Sequence, residues 1–218
     1  MDLPFSVVQF YAVFSAYNTT LWPVQIVLLA LAFVAIGLMV FPRRGSGVAV
    51  SAILSVLWAW LALAYHLAFF TAISPPAYAF AALSLAGAGV FFWRGVVRRK
   101  LRFRWVPGLR AVMGVCLVVF ALAVYPAWTY LAGHRYPTFP TFGVPCPTAI
   151  FTLGLLAFLK APYPRSPFVV PALWSFVGGQ AAFLLNVPAD YGLVVAGLMG
   201  TVLMLWPKVI SPWSGKSA

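Results

Sequence analysis

Two imidazoles and one thiol are the side chains of this sequence best suited to soft-metal binding or covalent chemistry: His66, His134 and Cys146. Sulfur and imidazole ligands select soft and borderline cations, and a thiolate beside an imidazole base is an activated nucleophile. Cys146 stands in the run Gly143-Val144-Pro145-Cys146-Pro147-Thr148. Proline favours the first helical position, so the pattern predicts Cys146 at the N-cap of a helix with Pro147 at N1. Unpaired backbone N–H groups and the positive end of the helix dipole would face the thiol there, a setting that activates it. The candidate polar site is therefore His66, His134, Arg135, Cys146, Thr148 and Gln180. Its metal set is Cys146, His66 and His134, and a soft metal ion is the cofactor that set implies. Neither Cys-x-x-Cys nor His-Glu-x-x-His spacing occurs, so spacing alone specifies no metal. The plainer alternatives are a Cys146 that caps or packs its helix and a His66 hydrogen-bonded to a neighbouring carbonyl.

The elements that must carry these residues are membrane helices. Hydrophobic residues make up 64% of the 218 and charged residues 7%, against about 45–50% and about 25% in a soluble domain. A soluble globule of this size could not bury so much apolar surface. Composition excludes a soluble enzyme, a disordered chain and a nucleic-acid-binding domain, so no nucleic-acid partner is expected despite the net charge of +12. The fold class is an all-α polytopic membrane protein, a single membrane domain over 1–218. A spanning helix needs about 20 apolar residues. Seven runs are candidates: 21–41, 48–70, 76–93, 109–132, 147–159, 167–185 and 189–206. Residues 5–17 read as an interfacial helix, 21–206 as the bundle and 207–218 as a cytoplasmic tail.

Lys and Arg set the orientation. If every run spans, Arg43, Arg44, the basic loop 94–110, Lys160, Arg165, Lys208 and Lys216 share one side, and Arg135 alone is opposite. The positive-inside rule places the N-terminus outside and the C-terminus in the cytoplasm. Anionic lipids are the expected partners of the 94–110 loop, with Phe103 and Trp105 as interfacial anchors. Among acids only Asp2 and Asp190 occur. Both fall near the outer face, Asp190 as a helix cap, which argues against a proton- or sodium-coupled carrier.

Small residues mark packing faces. Ala52, Ser55, Ala59 and Ala62 recur at helical spacing and lead to His66, while Gly192, Ala196 and Gly200 form a second stripe. Cys116 reads as a small packing residue. The stretch 133–147 carries four prolines and two glycines ahead of a run too short to span. It predicts a loop that dips into the membrane, which irregular backbone tolerates only when enclosed by protein or a water-filled cavity.

Four blocks, AVFSAYNTTLWPVQ, YHLAFFTAISPPAYAF, GHRYPTFPTFGVPCPTAIFTLGLL and WSFVGGQAAFLLNVPADYGLVVAG, carry a resemblance. With them the chain resembles an uncharacterised family of small bacterial integral membrane proteins, a domain of unknown function with permease-like labels on some relatives. The resemblance implies a bacterial cytoplasmic (inner) membrane location and brings no catalytic residue or cofactor.

Three functions fit the sequence. The first is binding or permeation of a small solute or soft metal at an outward-facing polar and thiol site. The second is an accessory or assembly subunit, partnered in the bilayer as a homo-oligomer or within a larger membrane complex. The third, ranked behind the non-enzymatic readings, is a membrane-embedded enzyme using Cys146 with His66 or His134.

Overall fold

The computed structural model describes residues 5–185 and 187–206. Asp2, Asn186, Lys208, Lys216 and the tail 207–218 lie outside the described residues. Eight helical elements make up the fold, and no strand occurs among the described residues beyond two isolated bridges.

Helix α1 (Val7–Thr20) starts at a capping box. The Ser6 hydroxyl accepts from the Gln9 N–H at 3.2 Å, and the Gln9 side chain accepts from the Ser6 N–H at 2.8 Å. Two orphan donors are thereby satisfied. Phe10, Tyr11, Phe14, Tyr17 and Asn18 recur at helical spacing and are buried. A helix therefore covers most of the 5–17 stretch, and it packs onto protein along one face. Leu21-Trp22-Pro23 ends it, because proline has no N–H to continue the ladder. Helix α2 (Val24–Val40) leaves at 89° to α1.

Five further elements are long and apolar enough to cross a bilayer: α3 (Ser46–Ala72), α4 (Ala77–Val97), α5 (Leu109–Leu131), α7 (Ser166–Leu184) and α8 (Pro188–Leu205). Counting α1 and α2 as one bent crossing gives six. Element α6 (Pro145–Leu156) has 12 residues, roughly 18 Å at 1.5 Å per residue, against a hydrocarbon core of about 30 Å. Every one of its residues is buried. It packs against α5, α7 and α8, while α3 lies between α2 and α4. A short helix walled in by protein has no lipid thickness to match, which removes the length requirement on a spanning segment.

The small-residue faces are contacts. Ser55 donates to the Ala88 carbonyl at 2.9 Å, joining α3 to α4, and Ala62 and His66 are fully buried. On α8, Gly192, Ala196 and Gly200 are buried. A Cβ on Gly192 would collide with the Phe120 ring, and one on Gly200 with Leu153. Replacing Gly192 by Ala is expected to lower stability by about 1–3 kcal/mol, the usual range for overpacking. Denaturant unfolding in mixed micelles would read this, and a loss below about 0.5 kcal/mol would show that Phe120 swings aside at little cost.

The basic loops meet at one end of the bundle. Phe103 and Leu159 form an antiparallel bridge. The Lys160 N–H donates to the Arg102 carbonyl at 2.8 Å, and the Arg104 N–H to Phe158 at 3.0 Å. The Tyr163 hydroxyl ties this loop to the Leu203 carbonyl at 2.8 Å. Two assignments need correcting. Phe103, expected as an interfacial anchor, is a core residue at 3% exposure, whereas Trp105 is exposed and stacks on Phe158. Cys116, expected to pack, is exposed on α5. A one-residue error in helix phase turns a side chain through about 100°, which suffices to move it from a packed to an outward face.

Candidate functional site

A cavity of about 200 Å³ opens at the end of the bundle opposite the basic loops. Five elements and one turn build it. Helix α1 supplies Phe10 and Phe14, α3 supplies Tyr65, His66 and Phe70, and α4 supplies Phe80. Ser74 comes from the α3–α4 turn, Cys146 from the start of α6, and Trp174 and Gln180 from α7.

His66 lies in a π-helical stretch of α3, Leu61–Leu67. Such widened turns rephase a helix face. Its ring is fully buried, and neither ring nitrogen has a hydrogen-bond partner in the protein. Aromatic rings surround it: Trp174 at 5.0 Å, Tyr65 at 5.3 Å and Phe80 at 5.8 Å between centroids. The expected carbonyl partner is absent, so the packed-histidine alternative fails in its stated form. The Trp174 indole is likewise buried with its Nε1–H unpartnered. Unmade hydrogen bonds at buried sites typically cost about 1–3 kcal/mol each. Three unpartnered nitrogens on two neighbouring rings that line one cavity give a ligand something to satisfy.

Of the six candidate site residues, the structure brings His66, Cys146 and Gln180 to this cavity and leaves three elsewhere. His134 stacks on Tyr11, ring centroids 3.7 Å apart and planes 12° from parallel. Burial there holds its imidazole below the ordinary histidine range. Arg135 is exposed and sits 5.3 Å from the Tyr130 ring centre. Thr148 is buried inside α6; its carbonyl accepts from Thr152 at 2.7 Å and its own hydroxyl has no partner. The metal set Cys146, His66 and His134 is thus not assembled. Among the described residues no three His, Cys, Asp or Glu side chains come close enough together to hold a metal ion.

Cys146 is not an N-cap. Val144 takes that place, Pro145 begins the helix, and Cys146 falls in the first turn, 7% exposed. The second proline misleads here, because two prolines fit the first turn of a helix as well as one. Beside the thiol lies the pair that sequence reading missed. The Tyr125 hydroxyl of α5 donates to Asp190 Oδ1 at 2.8 Å, and Asp190 Oδ2 has no partner. Asp190 stands at the start of α8 yet makes no capping bond, and it is 1% exposed. It is therefore not a cap but a carboxylate enclosed between helices. Asp190 thus stays at the end of the bundle opposite the basic loops, enclosed between helices there.

Asn18 of α1 holds the approach to α6. Its Nδ2 donates to the carbonyls of Pro137 at 2.7 Å and Phe139 at 2.6 Å. Its Oδ1 accepts from the Thr141 hydroxyl at 2.8 Å, and its backbone carbonyl accepts from Tyr136 at 3.2 Å. The Tyr17 hydroxyl reaches the Gly143 carbonyl at 3.4 Å and accepts from Trp60 Nε1 at 2.7 Å. Pro140, Gly143 and Val144 are buried. Protein thus covers the end of the irregular path next to α6, while Gly133, Arg135 and Tyr136 at its start are exposed.

A family profile described as a family of unknown function, DUF6064, matches residues 7–212. No curated protein and no solved structure matches the chain.

Proposed function

The chain belongs to the family of unknown function DUF6064, and from its cavity we propose that it is a membrane protein that binds a small, mostly apolar molecule bearing one hydrogen-bonding group. The observation that carries this reading is His66: a fully buried imidazole with both nitrogens unpartnered, on the wall of an aromatic cavity. A neutral imidazole offers one donor and one acceptor, and Trp174 adds a donor only. A hydroxyl or carbonyl on the ligand answers both. The size suits a ligand of about ten non-hydrogen atoms, since a cavity of about 150 Å³ holds benzene. Cys146 and Gln180 line the same space. With only one imidazole and one thiol there, an organic ligand is favoured over a soft metal.

The chain runs as seven crossing elements, α2 to α8, with α1 flat at the interface, the N-terminus outside and the basic end in the cytoplasm of a bacterium. The convergence of Arg102, Arg104, Arg110 and Lys160 at one end supports this orientation. The cavity then opens toward the outer side.

The test uses 1-naphthol and naphthalene, which share a shape and differ by one hydroxyl. The purified chain is expected to bind naphthol about tenfold more tightly, the equivalent of one hydrogen bond of about 1.4 kcal/mol. His66→Phe, which keeps the ring volume, should cut the preference severalfold while leaving naphthalene binding in place. Equal affinity for the two probes in the native chain would overturn the reading.

A further inference from the structure

At the opposite end, Arg94, Arg98, Arg99, Lys100, Arg102 and Lys160 line one concavity of about 750 Å³. We propose that this concavity binds the head group of an anionic phospholipid carrying two phosphate groups. The proposal is independent of the ligand cavity around His66.

The fold gathers these cations by specific means. The N–H of Arg98 donates to the Trp93 carbonyl and that of Lys100 to Arg94, both at 2.8 Å. Arg99 between them takes a positive φ of 50°, a left-handed conformation that costs a residue with a Cβ free energy. This turn brings three successive basic residues, Arg98, Arg99 and Lys100, around one hollow with Arg94. Gly95 fixes its position, because a Cβ there would run into the Ser51 side chain of α3. On the far wall, the backbone pairing of Lys160 with Arg102 sets two more cations side by side. Arg110 holds that wall by donating to the Leu159 carbonyl at 3.0 Å, with its guanidinium 4.8 Å from the Tyr163 ring centre.

No carboxylate of the described residues offsets these charges. The one acid among them, Asp190, is bonded to Tyr125 at the far end of the bundle. Six like charges held in one hollow repel one another unless an anion sits among them. A phosphate diester carries one negative charge and suits Arg forks, and six cations exceed what one such group neutralises. The rim points to a lipid rather than a dissolved anion. Trp93 and Val97 at the end of α4 are exposed, and Arg98 lies 4.9 Å from the Trp93 ring centre. Exposed tryptophan beside arginine at the end of an apolar helix marks head-group depth. Acyl chains of a lipid bound there continue along α4. Basic pockets between membrane helices are known to hold such head groups.

The experiment titrates the full chain in zwitterionic micelles with diphosphatidylglycerol, phosphatidylcholine or inorganic pyrophosphate, reading bound ligand by native mass spectrometry. Diphosphatidylglycerol should be retained at about tenfold lower concentration than phosphatidylcholine, and the double variant R102A/K160A should lose about tenfold of that affinity. The charge-keeping double variant R102K/K160R should retain it. So should R43A/R44A, which removes basic residues outside the concavity. Unchanged retention in R102A/K160A would overturn the proposal, as would an equal loss in R43A/R44A. Pyrophosphate binding as tightly as the lipid would overturn it in favour of a soluble polyanion.

Discussion

Asn18→Ala is expected to lower the free energy of unfolding by roughly 3–4 kcal/mol, three times a typical single hydrogen bond. One side chain makes three bonds to a loop more than a hundred residues away: two from Nδ2 and one to Oδ1. Removing it leaves the carbonyls of Pro137 and Phe139 and the hydroxyl of Thr141 without these partners. The residue is fully buried, so water does not simply replace the amide. Asn18→Asp should be worse still. It sets an oxygen against two carbonyl oxygens where a donor stood, while leaving size unchanged. Steric-trapping or denaturant unfolding of both variants checks the magnitude, and limited proteolysis within 133–144 checks the location. If Asn18→Ala lost under about 1 kcal/mol, the strap would be decorative and the loop would be held by its prolines alone.

The strap shows what the sequence could and could not reveal. Apolar runs of about 20 residues declare themselves, and the helices observed over Ser46–Ala72, Ala77–Val97 and Leu109–Leu131 match such runs. The Pro-rich stretch before Cys146 also declares an irregular path, since proline cannot sit inside a helix without losing a bond. What holds that path is not local. Asn18 and Thr141 are 123 positions apart, and no periodicity links them. Asp190 failed for the same reason. A lone acid at a helix start reads as a cap, but its partner Tyr125 lies 65 positions away on another helix. Of the candidate site, His66 was legible because a small-residue face led to it. Trp174 was not, because one tryptophan among nine carries no local mark of an unpartnered indole. Phe10, Phe14, Phe70 and Phe80 resemble any lipid-facing aromatics until the fold turns them inward.

The pair Tyr125 and Asp190 supplies the second large effect, and a double-mutant cycle separates its meaning from simple packing. Both side chains are 1% exposed. Tyr125→Phe leaves Asp190 with neither carboxyl oxygen hydrogen-bonded by the tyrosine, since Oδ2 has no partner already. Asp190→Leu strands the Tyr125 hydroxyl. Each single change is expected to cost about 2–4 kcal/mol, because a buried polar group left alone bears its full desolvation penalty. The double variant Y125F/D190L should cost less than the sum by about 2 kcal/mol or more, since replacing both partners with apolar groups removes the stranded atoms together. Strict additivity would sink the idea that the hydroxyl–carboxylate bond joins α5 to the start of α8. The pair also stands beside Cys146, whose thiol lines the ligand cavity. Loss of naphthol binding in either single variant, recovered in the double, would show that this bond holds the cavity wall in place. Loss in every variant carrying Asp190→Leu, with no recovery, would instead assign the carboxylate a part in binding, which is the ordinary reason an acid is kept between membrane helices.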